Sequence, residues 1–417
     1  MLAFAARSPR GAGATPPDND PARQRPRPTV PQPDGDPANR IVILQILVLN
    51  VGSTTLKYAV VDTATERIGS QGTIDKIGQK DGEAPDHLTA ARQTVEQQLD
   101  AGIDAIGHRV VQGGRIFTKA TPVDAAALSQ LSELDDLAPI HNPPARQVVE
   151  ALVATGIGLP QAMVFDTAFY TTLPPAAHRY ALPGELVRKY HLRRYGAHGT
   201  SHQYVTEAAL RFLPTGQRPR RTISLHLGGG CSATAAVDGV AVETSMGFTP
   251  LEGLVMSTRS GNVDPSIVTY LIRHAGLSAS EVERQLNHHS GLLGMCGDSD
   301  MRTILRRCDE GDQEARDAID VYVHRLRQTI GGLVAVLGGC DALLFTAGVG
   351  EHAATIRRQV TEGLACFGIA IDDQANQAAS GADCIHDISM TDVGTKTLVV
   401  PTNESLAIAR QVADLFE

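Results

Sequence analysis

Two glycine-rich turns of this chain are built from residue types that could bind phosphate. The first, residues 50–55, reads Asn-Val-Gly-Ser-Thr-Thr, and the second, residues 228–232, reads Gly-Gly-Gly-Cys-Ser. Glycine lets the backbone approach an anion closely, and the N–H groups and hydroxyls of such turns can donate hydrogen bonds to its oxygens. One such turn means little, but two related turns facing each other across a cleft would hold a phosphate group from both sides.

Motifs and charge together exclude several classes of function. Neither G-x-x-x-x-G-K-[ST] nor a G-x-G-x-x-G that follows a strand occurs, which excludes a P-loop and argues against a dinucleotide-binding turn. With 37 Lys and Arg against 46 Asp and Glu, the formal net charge is -9, which disfavours nucleic acid and anionic membranes as partners. An anionic substrate therefore needs its own local cluster of Arg and His side chains.

A predicted strand lies on each side of both turns, so that each turn closes a β-hairpin. The apolar runs are residues 46–49 and 56–61 in the first hairpin, and 222–227 and 233–237 in the second. Set with a constant offset of 176 residues, the hairpins share identities at Gly52 with Gly228, Ala59 with Ala235, Val61 with Val237 and Asp62 with Asp238. A repeat of this period predicts two related domains that arose by duplication.

The rest of the chain alternates between predicted strands and helices. Further strands are predicted at residues 104–111, 161–165 and 341–346, and helical periodicity is clearest in 313–336 and 405–416. Strands that run into glycine loops and helices are typical of α/β domains, which bind ligands at strand carboxyl ends. Because 417 residues are too many for one core, we predict an α/β protein of two domains with a cleft between them.

Some of the sequence is predicted to lie outside the catalytic architecture. Residues 1–40 are rich in Pro, Ala, Arg and Asp and lack a hydrophobic signal-peptide core, so they are predicted to be disordered or an over-extended start of the reading frame. No apolar run approaches the roughly 20 residues that cross a bilayer. The six cysteines lack C-x-x-C spacing and predict reduced thiols of a cytoplasmic protein rather than a zinc site.

A series of motifs along residues 46–417 resembles the acetate kinases, the acetokinase family. The motifs are L-V-L-N-V-G-S-T-T-L-K (47–57), G-H-R-V-V (107–111), A-P-I-H-N-P (138–143), F-D-T-A-F (165–169), R-Y-G-A-H-G-T-S-H (194–202), T-S-M-G-F-T-P-L-E-G (244–253), S-T-R-S-G (257–261), F-T-A-G-V-G-E (345–351) and P-T-N-E (401–404). So many motifs in the family's order cannot plausibly be coincidence.

The resemblance implies a fold, a reaction and an assembly. The fold is a duplicated actin/hexokinase/Hsp70-like (ribonuclease H-like) α/β fold with an interdomain cleft, in agreement with the repeat. The implied division is a disordered extension (1–45), an N-terminal domain (46–168 plus 405–417) and a C-terminal nucleotide-binding domain (169–404). The implied reaction is reversible, ATP-dependent phosphorylation of acetate or another short carboxylate, with Mg²⁺ (alternatively Mn²⁺) and a cytoplasmic homodimer.

Four catalytic residues follow from the resemblance: Arg109, Asp166, His198 and Arg259. Attack of a carboxylate on ATP joins two anions, and the loose in-line transition state spreads negative charge over three phosphoryl oxygens. Arg109 and Arg259 would supply planar cationic forks that match these oxygens, and Arg109 would also bind the substrate. His198 would hydrogen-bond the phosphoryl group. Since a carboxylate has no proton to remove, Asp166 is expected to orient Arg109 or help to place Mg²⁺, with a helix N-cap as its alternative role.

The resemblance also assigns a metal and a nucleotide site. Asn50 and Glu404 would neighbour Mg²⁺, which in nucleotide sites keeps several waters and needs only one or two protein carboxylates. Lys57 would face the polyphosphate. The other expected ATP contacts are His226, Leu227, Gly228, Gly229 and Gly230 at the phosphates, and Asp300, Met301, Arg302, Gly348, Val349, Gly350, Glu351 and His352 around the adenosine.

The acyl pocket is expected to be lined by Val111, Ile140 and Pro250. Ala197 stands where the family usually has a Phe that helps to line this pocket, so a wider pocket is expected. In the wider pocket, propionate or butyrate should then be used with a kcat/KM within about tenfold of that for acetate. Because one methylene group discriminates by only about 1–3 kcal/mol, the identity of the preferred acid stays open from the sequence. Other departures from the family are Gly229 and His352 in place of Asn, and Gln112 in place of His.

Several alternatives remain open from the sequence. His202 could share a helical face with His198 and imitate a zinc pair, although a structural role is favoured, and His141 could either line the cleft or serve packing. A propionate or butyrate kinase would have the same fold. A non-catalytic ATP-binding relative would bind ATP without acid-dependent turnover; the retained arginines, His198 and Glu404 argue against it, and Gly229 keeps it open.

Overall fold

A computed structural model describes residues 45–416, with the exception of 53, 139–140, 217–218 and 382. The predicted disordered extension, residues 1–45, therefore lies outside the described residues except for Gln45, which begins the first strand.

Twelve strands lie in this described part of the chain. They are β1 (Gln45–Val51), β2 (Leu56–Asp62), β3 (Arg67–Ile74), β4 (Ala105–Val110), β5 (Thr121–Pro122), β6 (Gln161–Phe165), β7 (Arg221–Leu227), β8 (Cys231–Val237), β9 (Val240–Thr244), β10 (Ala342–Thr346), β11 (His386–Asp387) and β12 (Lys396–Val399).

The same residues include fifteen α-helices. They are α1 (His87–Leu99), α2 (Ala125–Ser132), α3 (Asn142–Ala154), α4 (Pro175–His178), α5 (Gly184–Tyr190), α6 (Gly199–Leu210), α7 (Pro265–His274), α8 (Ala279–His288), α9 (Gly291–Cys296), α10 (Met301–Asp309), α11 (Gln313–Leu337), α12 (Ala347–His352), α13 (Ala354–Thr361), α14 (Asp373–Ala378) and α15 (Glu404–Phe416). Short 3₁₀ helices lie at Asp135–Leu137, Asp166–Tyr170 and Ala365–Phe367.

The first six strands form one sheet in the order β3-β2-β1-β4-β6-β5, in which β1, β4 and β6 run parallel. Burial on both faces explains the continuous apolar run of β1. Ile46 and Val48 belong to an apolar cluster with α15, whereas Leu47 and Leu49 belong to a cluster with α1 and α3. Successive residues of a strand point to opposite faces, so helices on both sides of the sheet require this composition.

The last six strands repeat this arrangement in the order β9-β8-β7-β10-β12-β11, with β7, β10 and β12 parallel. Each sheet has one register irregularity between its outer hairpin strands, at Val60/Val61 and at Ala235/Ala236. The starts of β1 and β7 keep the predicted offset of 176. The irregularities are 175 residues apart because the second turn is one residue shorter. The predicted duplication is confirmed, with this one-residue correction.

A helix that comes after one sheet in the chain packs on the other sheet, and this holds in both directions. Helix α6 follows β6 and packs on β7 and β10, whereas α15 follows β12 and packs on β1 and β4. His198 immediately precedes α6, and Glu404 is the first residue of α15. Because each of these two helices packs on the sheet that it does not directly follow, a predicted site residue lies at the start of each of them. The domain division at residues 168 and 404 stays a prediction.

The two predicted helices are confirmed as α11 and α15. Helix α11 begins after Asp312, whose side chain accepts a hydrogen bond from the N–H of Ala315, and ends at Gly338 with φ of 67°. These are the N-cap and the left-handed glycine C-cap that favour sharp helix ends. Within the described residues, no helix combines the length and the apolar character that a membrane span requires.

Candidate active site

Three predicted site residues lie at the carboxyl ends of adjacent parallel strands of the first sheet. Asn50 on β1 is in register with Arg109 on β4, and Asp166 directly follows β6. Arg109 donates to both oxygens of Asp166, with Nε–Oδ1 at 3.1 Å and Nη2–Oδ2 at 2.5 Å, and Nη1 donates to Asn50 Oδ1 at 3.0 Å. This bidentate pair fits the predicted role of Asp166 in orienting Arg109.

Further contacts fix the charge of Arg109. Asp166 is fully buried and also accepts a hydrogen bond from Thr200 Oγ1 at 3.0 Å. Glu404 Oε2 lies 3.7 Å from Arg109 Nε. Burial alone would lower the pKa of the guanidinium, but Asp166 and Glu404 outweigh it and the pKa is raised above its ordinary value. Arg109 is therefore a permanently charged group with a fixed orientation.

The second glycine turn brings His198 and Arg259 close to each other. A Cβ atom at Gly230 would lie 3.1 Å from His198 Nε2 and 3.7 Å from Arg259 Nη1. A side chain at this position would therefore crowd His198 and contact Arg259. A hydrogen bond of 3.1 Å from Ser257 N to Gly229 O ties the turn to the segment that carries Arg259.

Arg259 is a partly buried cation that forms no ion pair with any described carboxylate. Its Nη1 donates to the carbonyl oxygen of Pro250 at 3.2 Å, and burial lowers its pKa. Backbone hydrogen bonds hold its loop, from Met256 N to Arg259 O at 3.2 Å and from Ser290 N to Thr258 O at 3.0 Å. A guanidinium held by neutral acceptors retains its full charge for an incoming anion.

The positive charges of Arg109 and Arg259 both contribute to low pKa values of His141 and His198. The pKa of His141 is lowered to about 4, first by burial and then by the charges of Arg259 and Arg109. The pKa of His198 is lowered well below its ordinary value by burial, by two neighbouring histidines and by the same two arginines. Geometry links three of these residues: the Gly230 position lies beside His198 and Arg259, and Asp166, which pairs with Arg109, accepts a hydrogen bond from Thr200, two residues after His198. His141 is half-buried, and a place for it in the cleft stays a prediction.

The buried His202 and His226 form a cluster with the half-buried His198. The ring of His198 stacks on that of His226 with centroids 4.1 Å apart. Ser232 Oγ lies 2.8 Å from His198 Nδ1 and 2.7 Å from His202 Nε2, and Ser224 Oγ lies 2.7 Å from His202 Nδ1. Both nitrogens of His202 are thus occupied by serine hydroxyls, which supports the structural role favoured from the sequence over a zinc ligand.

A cavity of about 690 Å³ adjoins the second turn, a volume suited to a nucleotide. Eight of the predicted ATP contacts line it: Gly228, Gly229, Asp300, Met301, Arg302, Gly348, Val349 and His352. The other lining residues, which sequence reasoning missed, are Ser257, Leu292, Ser299, Leu305, Tyr322 and Ala353. Ser257 could have been found because it belongs to the S-T-R-S-G motif. Tyr322 lies on an amphipathic helix, and nothing local distinguishes it from core residues.

The remaining predicted ATP contacts do not line this cavity: Lys57, His226, Leu227, Gly230, Gly350 and Glu351. Leu227 is fully buried in the apolar core of the second sheet. Glu351 Oε1 accepts hydrogen bonds from Ala347 N at 2.7 Å and Thr402 N at 3.0 Å, so this carboxylate holds the loop together. Lys57 is exposed on β2, beside the first turn.

The predicted acyl-pocket residues fall in different environments. Val111 and Pro250 are half-buried, and Ile140 lies outside the described residues. Ala197 is 2% exposed and packs in the apolar cluster of the second sheet, while its carbonyl oxygen accepts a hydrogen bond from Tyr170 Oη at 2.8 Å. A wider acyl pocket at Ala197 stays a prediction.

Asn50 and Glu404 offer the hard oxygen donors that Mg²⁺ prefers. The side chain of Glu404 is 22% exposed, and its carboxylate has no hydrogen bond to the described residues apart from the 3.7 Å ion pair with Arg109. Nowhere in the described residues do three or more His, Cys, Asp and Glu side chains group to enclose a metal. Asn50 and Glu404 would therefore suit an ion that needs only one or two protein carboxylates, as Mg²⁺ does in nucleotide sites.

Stability should fall as the pH drops from about 6.5 to about 4. Burial lowers the pKa of His108 to about 4, as it does for His141, whereas an unfolded histidine titrates near 6.5. In this window the unfolded chain binds more protons than the folded chain, so the free energy of unfolding decreases as pH falls. Urea midpoints at pH 7 and pH 5 should show this decrease, and His108→Leu should reduce it. Equal wild-type midpoints would contradict the expectation.

Comparison with known proteins shows the family of this chain. A model of the acetokinase family matches residues 82–410. The acetate kinase of Streptomyces avermitilis is 43% identical over 391 residues, covering 88% of this chain and 96% of the relative. That of Micrococcus luteus is 43% identical over 384 residues, covering 89% and 99%.

Solved structures give the same result. Porphyromonas gingivalis acetate kinase superposes with a TM-score of 0.83 at 35% identity, covering 90% of this chain and 100% of that one. A propionate kinase from Francisella tularensis gives 0.82 at 38% identity, covering 88% and 98%. Together with the twin sheets, these matches confirm the predicted duplicated fold. The chain belongs to the acetokinase family.

Proposed function

We propose that this chain transfers the γ-phosphoryl group of ATP directly and in line to acetate, forming acetyl phosphate and ADP reversibly. One observation carries the proposal. The second glycine turn lies beside both His198 and Arg259 and borders the nucleotide-sized cavity. Asp166, the partner of Arg109, accepts a hydrogen bond from Thr200, two residues after His198. Two cations beside a nucleotide cavity suit a reaction in which one anion attacks another.

Each residue has a separate task in this mechanism. Arg109, oriented by Asp166, binds the acid carboxylate in bidentate fashion. Arg259 stabilises the equatorial phosphoryl oxygens as negative charge spreads over them, and His198 donates a hydrogen bond to the same group. The carboxylate arrives without a proton, so no general base is required.

ATP is proposed as co-substrate and Mg²⁺, or alternatively Mn²⁺, as the metal. When bound, the metal would supply positive charge that neutralises the negative charge of the ATP phosphates. Glu404 and Asn50 would hold it, because Glu404 combines partial exposure with a carboxylate that lacks hydrogen bonds to the described residues.

The test is the initial rate of acyl phosphate formation, trapped with hydroxylamine, in the presence of ATP, Mg²⁺ and acetate. Acid-dependent turnover is expected. Binding of ATP without turnover on any short acid would favour the non-catalytic relative instead.

Propionate is the second candidate acid, favoured by Ala197. We expect wild-type kcat/KM for propionate and butyrate to lie within about tenfold of that for acetate, and Ala197→Phe to lower the butyrate value by about tenfold or more, since a methylene is worth roughly 10- to 200-fold in a tight pocket. An acid panel on both proteins checks this, with Ala197→Val as a smaller, matched change. A wild-type preference for acetate of well over tenfold would contradict it.

We further propose a cytoplasmic homodimer that acts on small molecules, without nucleic acid or membrane partners. Helix α7 buries none of its residues in the monomer, and Ile267, Tyr270 and Ile272 on it are 43%, 62% and 38% exposed. An unpartnered apolar face of this kind is typical of subunit interfaces. All six cysteines are free, as in cytoplasmic proteins. Analytical ultracentrifugation should give twice the chain mass of 44.2 kDa.

A further inference from the structure

His198 Nε2 faces the second glycine turn beside Arg259. If a phosphoryl group is transferred there, as the proposed function requires, its oxygens can only accept hydrogen bonds. The low pKa of His198 keeps the ring neutral near pH 7, and a neutral imidazole carries a single N–H. The tautomer therefore decides whether Nε2 donates to the phosphoryl group or presents a lone pair to it.

A chain of buried hydroxyl and imidazole groups leads away from the other nitrogen of this ring. From His198 Nδ1 it runs through Ser232 Oγ at 2.8 Å, His202 Nε2 at 2.7 Å and Ser224 Oγ, which is 2.7 Å from His202 Nδ1. A serine hydroxyl has one proton and a neutral imidazole has one N–H. Two directions of donation run through the whole chain. If both imidazoles instead donated to Ser232 Oγ, the buried Ser232 proton would have no acceptor among the hydrogen bonds of the described residues, which is costly.

In the outward direction His198 Nδ1 donates to Ser232, which donates to His202, which donates to Ser224. Ser224 must then donate to the carbonyl oxygen of Thr234, which is 3.4 Å away. This distance exceeds the usual O–H···O range of about 2.5–3.0 Å. The outward direction thus leaves a buried hydroxyl without a good acceptor, which is costly.

In the inward direction every donation spans 2.7–2.8 Å. Ser224 donates to His202 Nδ1, His202 Nε2 donates to Ser232, and Ser232 donates to His198 Nδ1. The proton of His198 must then reside on Nε2. Ser232, His202 and Ser224 are 0%, 0% and 1% exposed, so solvent does not compete for these bonds.

We propose that Ser232 and His202 are positioning residues that fix His198 as the Nε2–H tautomer, so that a neutral histidine donates to the transferring phosphoryl group. The proposal deepens the proposed function and rests on it for its consequence in catalysis. The direction of the chain, however, is a property of the resting protein and can be observed without turnover.

Neutron diffraction from deuterium-exchanged crystals of the full chain tests that direction. Deuterium is expected on Nε2 of His198 and of His202, and on Ser232 Oγ pointing to His198 Nδ1. Deuterium on His198 Nδ1 would overturn the proposal. Because this measurement needs no activity, it separates failure of the tautomer assignment from failure of the kinase assignment.

Kinetics of Ser232→Ala test the consequence. We expect kcat to fall about 10- to 100-fold, the range for loss of one hydrogen bond to a charged group, with the KM for ATP and for the acid little changed. Ser232→Thr, which retains the hydroxyl, should recover most of kcat. Ser201→Ala is the matched control, since Ser201 Oγ contacts His226 Nδ1 at 2.8 Å and should leave the His198 tautomer unchanged. A kcat for Ser232→Ala equal to wild type would refute the positioning role.

Discussion

Replacing Arg259 by alanine is expected to lower kcat by about 10³-fold or more, the usual effect of removing a catalytic arginine from phosphoryl transfer. The guanidinium lies at the second turn beside His198, and its charge is not neutralised by any described carboxylate. Arg259 does not line the nucleotide cavity, so the affinity for ATP should change little. Loss of kcat with retained ATP binding identifies an interaction made chiefly in the transition state.

The measurement combines hydroxylamine-trapped initial rates with calorimetric titration of ATP on the same protein. Arg284→Ala is the matched control, because Arg284 is exposed on α8 and its loss should leave both quantities as in wild type. Turnover of Arg259→Ala within tenfold of wild type would remove the main support for the proposed mechanism.

Replacing Asp166 by alanine is expected to damage stability and turnover together. The substitution removes the two carboxylate oxygens that accept hydrogen bonds from Arg109, and with them the acceptor of Thr200. Arg109 then keeps only the looser, 3.7 Å ion pair with Glu404. Breaking a buried ion pair by removing one partner typically costs about 3–5 kcal/mol, because the other charge stays buried without compensation. A guanidinium that has lost its orientation also binds the acid poorly, and misplacement of about 1 Å can cost about 10²-fold in rate.

Urea denaturation and initial rates measure the two effects. Asp135→Ala provides the control, since Asp135 forms a similar pair with Arg146 at 2.8 Å in which the two side chains are 24% and 20% exposed. Pairs nearer the surface contribute only about 0–1 kcal/mol, so this variant should unfold almost as wild type does. If both substitutions lowered the free energy of unfolding equally, the burial of Asp166 would not explain its contribution to stability.

The sequence alone was sufficient to predict features whose residues are neighbours in the chain. The hairpins around Gly52 and Gly228 could be predicted because strand, turn and strand are adjacent in the chain. Asp166 could be placed because a buried strand ends directly before it. The one-residue difference between the hairpins could not be seen, since identities at an offset of 176 masked the shorter second turn.

The nucleotide cavity was predicted only in part for a related reason. Gly228 and Gly348 could be predicted because they belong to recognisable motifs. Tyr322 lines the cavity from within the long helix α11, and the apolar periodicity of that helix shows only which of its faces is buried. Glu351 shows the converse: its motif suggested a nucleotide contact, but the carboxylate bonds to backbone N–H groups of Ala347 and Thr402.

By itself the sequence determined the fold class, the duplication and the family, because periodicity and motifs are written in neighbouring residues. Tertiary structure decided which charges meet. Arg109 and Asp166 are 57 positions apart, and Glu404 approaches Arg109 only because α15 returns to the first sheet. The serine and histidine chain behind His198 likewise joins α6 to β7 and β8. Charge interactions and hydrogen bonds act through space over a few ångströms, so only the folded chain fixes them.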